Sequence, residues 1–78
     1  MSVELEEASR QLEQAIHDAR VTFDCIALDE LDRAHTNAIT ARASVDAAEN
    51  AIRMELERRA SEAEAREEQE EAETPSGS

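Results

Sequence analysis

"AHTNAITA", residues 34–41, is the longest run of this chain without an Asp, Glu or Arg, and its reading decides the fold. His35, Thr36 and Asn37 are three weak helix formers in a row. Thr36 or Asn37 could cap a second helix, so the run can be read as a turn. The flanking sequence argues otherwise. An apolar stripe passes through the run without a change of phase, along Leu31, Ala34, Ala38, Ala41 and Val45. Burial inside a helix explains the missing charge as well as a turn does.

Outward from this stretch, the chain has no Gly or Pro before Pro75, and Ala, Glu, Arg and Leu dominate it. That combination predicts helix throughout. Ser2 is placed to cap it, with acids in the first turn where the helix dipole favours them. Apolar residues recur every three or four positions from Leu5 to Ala63, the period of an amphipathic helix. Acid–arginine pairs four apart, such as Glu49 with Arg53 and Arg58 with Glu62, suit its solvated face.

The fold class expected is therefore all-α. The preferred reading is a long amphipathic helix, about Val3 to Arg66, self-associating as a coiled coil or bundle. The alternative is a two-helix antiparallel hairpin turning at residues 35–37, paired into a four-helix bundle. Residues 1–66 form the helical interaction module and residues 67–78 an acidic, frayed or disordered tail. The helix–helix interface is assigned to Leu5, Leu12, Ile16, Phe23, Leu31, Ala38, Val45, Ile52 and Leu56. A second apolar face or partner contact is assigned to Val21, Cys25, Leu28 and Ile39, beside Ile26. Two apolar faces near the middle call for more than two helices.

Charge narrows the partners. Twenty acids against eight arginines, with no lysine, leave a net charge of −12. Such a field disfavours direct contact with nucleic acid or anionic membranes. It suits a basic protein or a very salty solvent, since at about 1 M salt the Debye length falls to about 3 Å. The composition is halophilic-like. The N-terminus lacks the pattern of a secretory signal, and no apolar run approaches a membrane span, so a cytoplasmic location is expected.

Catalytic and ligand chemistry find little support. His17 and His35 would lie roughly 27 Å apart along one helix, and no His pair four apart or Cys-x-x-Cys is present. "DELD", residues 29–32, lacks the glycine and spacing of a calcium loop. Cys25 is read as a small interface hydrophobe. No cofactor, metal or catalytic residue is assigned. The function expected is that of a non-enzymatic assembly or adaptor protein acting through helix–helix contacts with itself or a partner helix. The alternative is an acidic inhibitor or nucleic-acid mimic that binds a basic protein.

Overall fold

Ser2 starts the first helix as the sequence predicts: its backbone is extended and its hydroxyl accepts a hydrogen bond from the Leu5 amide at 3.1 Å. The structure, a computed structural model, describes residues 2–73. Helix α1 runs Val3–Ala27 and helix α2 runs Leu31–Glu73. The two pack antiparallel into a hairpin about one helix diameter thick, with extents of 75 × 17 × 13 Å. Of the tail expected at 67–78, residues 67–73 belong to α2. Residues 74–78 lie outside the described residues.

The all-α class and the hairpin are what the structure shows; the single continuous helix is not. The chain reverses at Leu28–Glu30, seven residues before the expected turn at 35–37. Backbone hydrogen bonds explain the position. The Asp29 amide donates to the Ile26 carbonyl at 3.0 Å, and the Glu30 amide reaches back to the Cys25 carbonyl at 2.8 Å. This pair of reverse bonds is a Schellman closure. It places Asp29 in the left-handed region, at φ 57°. Aspartate tolerates that region better than most side chains do. The Glu30 carbonyl then accepts the first bond of α2, from the Ala34 amide at 3.0 Å.

The weak formers of the quoted run stay helical because they bond their own backbone. Thr36 Oγ1 donates to the Asp32 carbonyl at 3.1 Å, Asn37 Nδ2 to the Arg33 carbonyl at 2.8 Å, and Thr40 Oγ1 to the Thr36 carbonyl at 3.2 Å. Each polar side chain is satisfied one turn back without breaking the ladder.

The seam between the helices is built from small and polar residues. On α1 it follows Glu4, Ala8, Gln11, Ala15, Asp18, Thr22 and Cys25. On α2 it follows Ala34, Asn37, Ala41, Ser44, Ala48, Ala51 and Glu55. All fourteen are buried or half-buried, and the steps between them alternate strictly between three and four residues. Ala8 closes against Ala48 and Ala51 toward its open end. Small side chains let two helix axes approach closely, and the seven-residue repeat keeps them facing along the whole of α1.

Candidate functional site

The seam takes small and polar side chains, and the large apolar ones are left outside it. On α1, Leu5, Leu12, Ala19 and Ile26 each follow a seam residue by one position, as do Ile16 and Phe23. On α2, Ala38, Val45, Ile52 and Leu56 do the same, and Leu31 lies seven residues before Ala38. One step along a helix is a rotation of about 100°. In two antiparallel helices that rotation carries both sets to the same side of the hairpin. The grooves confirm it: Leu12, Ile16 and Ala19 of α1 line one continuous trough with Val45, Ile52 and Leu56 of α2. Arg42, Glu49 and Arg53 edge the same trough.

This face is open to solvent. Phe23 is 74 % exposed, Leu56 63 % and Leu31 59 %, and even Leu12, between the helices, is 41 % exposed. Soluble chains rarely leave so many large apolar side chains together on one surface. The opposite side differs in kind. Residues one position before the seam include Glu7, Arg10, Gln14, His17, Arg33, Thr36, Thr40 and Asn50, with only Val3, Val21 and Met54 large and apolar. Val3 and Met54 meet there across a shorter groove with Glu4, Glu7, Ala47, Asn50 and Ala51.

The residues assigned from sequence to the helix–helix interface thus fall together on one face, with Leu5 half-buried and the others exposed; they do not make the contact within the hairpin. The set assigned to a second face is dispersed. Cys25 is buried in the seam, Val21 is half-buried on the polar side, Leu28 caps α1 and Ile39 points away from α1. The seam itself is what the sequence reading missed. Its signal was the seven-residue spacing of Ala8 with Ala15 and of Ala34, Ala41 and Ala48, which a stripe drawn through larger side chains merges with the neighbouring face.

Three of the seam's polar residues are buried. Asp18 is 6 % exposed; its Oδ1 accepts from Gln14 Nε2 at 3.1 Å, and Oδ2 has no partner. Ser44 is buried near the middle of the seam. Glu55 is 2 % exposed and closes the open end. Hydrogen bonds from Arg58 and Arg59 hold its carboxyl well below the usual 4.5, at about 2, against the opposing effect of burial. The Arg59 Nε bond is 2.9 Å.

Beyond Glu55, α2 projects past the start of α1. Residues 56–72 are all exposed. The projection from Glu57 to Glu73 carries eight glutamates against three arginines. Among the described residues, no three His, Cys, Asp or Glu side chains are grouped to hold a metal ion, and no helix is long and apolar enough to cross a membrane. Comparison with protein-family models, with curated proteins and with solved structures finds no match.

Proposed function

We propose that this protein is a non-enzymatic assembly or adaptor module that presents the apolar face of a helical hairpin to other helices. One observation carries the reading: most of the large apolar side chains of both helices lie outside their shared seam, on one continuous surface. Each Å² of that surface removed from water contributes about 25 cal/mol. A seam of alanines and polar residues supplies little such burial by itself, so covering the face would add much of the available stabilisation.

Paired substitutions test this. Leu12→Glu with Val45→Glu places two charges on the apolar face; Thr40→Glu with Ala47→Glu places the same charge on the opposite face. The first pair should abolish association, with itself or with another protein, while circular dichroism still reports helix. The second should leave association intact. Equal behaviour of the two pairs would refute the reading.

The projecting end of α2 favours a second reading, an acidic inhibitor or nucleic-acid mimic that engages a basic protein. It requires salt-sensitive binding that disappears when residues 67–78 are removed; binding that survives the truncation excludes it.

A further inference from the structure

We infer that the occupant of the apolar face is a second copy of this chain, stacked face to face with its ends reversed, so that the acidic projections leave the assembly at opposite ends. This rests on the docking-face reading and specifies its partner.

Width is the first argument. The face spans both helices, with Leu12, Ile16 and Phe23 on α1 and Leu31, Val45 and Ile52 on α2. A single partner helix laid in the trough would cover its floor and leave the outer side chains wet. A two-helix layer of equal width covers them all, and the chain itself is such a layer.

Area is the second. Twenty-five residues of α1 at about 1.5 Å each, across two helices spaced about 10 Å, present roughly 700 Å² per copy. A standard stable interface buries about 800 Å² on each partner. The apolar residues are also centred: those of α1 run from Leu5 to Ile26 and those of α2 from Leu31 to Leu56, over the same length of hairpin. A two-fold axis through that middle superposes apolar on apolar, as a self-complementary interface requires.

Charge sets the orientation. The edges of the trough carry both signs, Arg42 and Arg53 with Glu49, so neither copy presents a uniform field to the other. The projections do carry one sign. With like ends together, two segments of eight glutamates and three arginines would lie side by side and repel. Reversing the ends separates them by the length of the hairpin.

The test uses the full chain. Sedimentation equilibrium from low micromolar to several hundred micromolar should give twice the 8.6 kDa chain mass. Orientation is read by pulsed electron resonance between spin labels at Ser61→Cys in a Cys25→Ser background. Residue 61 lies about 17 residues from the middle of the hairpin, so reversed ends place the two labels about 50 Å apart at 1.5 Å per residue. Like ends together would place them within roughly 20 Å, the spacing of neighbouring helices. A dimer with the long distance supports the inference. A dimer with the short distance overturns the orientation, and a trimer or larger assembly overturns the two-layer arrangement. A monomer at every concentration overturns self-occupancy. The docking-face reading survives that last result only if Leu12→Glu with Val45→Glu still abolishes binding to another protein.

Discussion

At the scale of single residues, the seam gives its clearest information where it breaks its own rule. Asp18 sits where an alanine would serve, and one of its carboxylate oxygens is buried without a partner. An unsatisfied buried polar atom costs about 1–3 kcal/mol. Asp18→Ala should therefore raise the free energy of unfolding by an amount in that range, measured by urea denaturation at fixed protein concentration; a loss of stability would mean that the bond from Gln14 to Oδ1 outweighs the unpaired Oδ2. Glu55 is the opposite case, a buried acid whose charge is matched. Its carboxyl titrates at about 2 in the folded chain instead of the usual 4.5. Because the folded value is the lower one, Glu55 contributes stability above about pH 4.5, and the contribution is lost as pH falls toward 2. Glu55→Gln should flatten the melting temperature against pH over that window; a variant whose acid limb matches the parent's would show that Glu55 is not clamped. Neither residue stood out in the sequence. Asp18 and Glu55 look like surface acids in a chain rich in acids, and only the register of the seam turns them inward.

Among the helices, the reversal at Leu28–Glu30 is the feature least legible in advance. Helix ends are usually announced by glycine or proline, and here an aspartate takes the left-handed position. The uncharged run at 34–41 drew attention because Thr36 and Asn37 are poor helix formers. Their bonds to carbonyls one turn back let the helix pass through them. Helical content and the N-cap at Ser2 were legible because they depend on local composition. The turn depended on a backbone motif that accepts many sequences. Glycine removes the clash that a Cβ suffers at positive φ, so Asp29→Gly should stabilise the hairpin by up to about 1 kcal/mol. Thermal denaturation reads the change. A fall in stability would indicate that the aspartate side chain itself holds the turn.

For the whole molecule, small and polar side chains inside and most large apolar ones outside make a two-helix layer with one apolar face. The residues of the face were legible in the sequence as the apolar stripe. Their partner was not, because a stripe at helical spacing does not tell contact within a chain from contact between chains. The strict seven-residue spacing of the alanines separates the two. The chain folds back at Leu28–Glu30, and one distance measures that directly. Spin labels at Glu13→Cys and Asp46→Cys, in a Cys25→Ser background and diluted with unlabelled protein, sit on exposed positions at the same level of the hairpin. The hairpin predicts a separation within roughly 25 Å, the spacing of neighbouring helices plus the label arms. A distance of about 50 Å, the 1.5 Å rise over the intervening residues of one continuous helix, would contradict it.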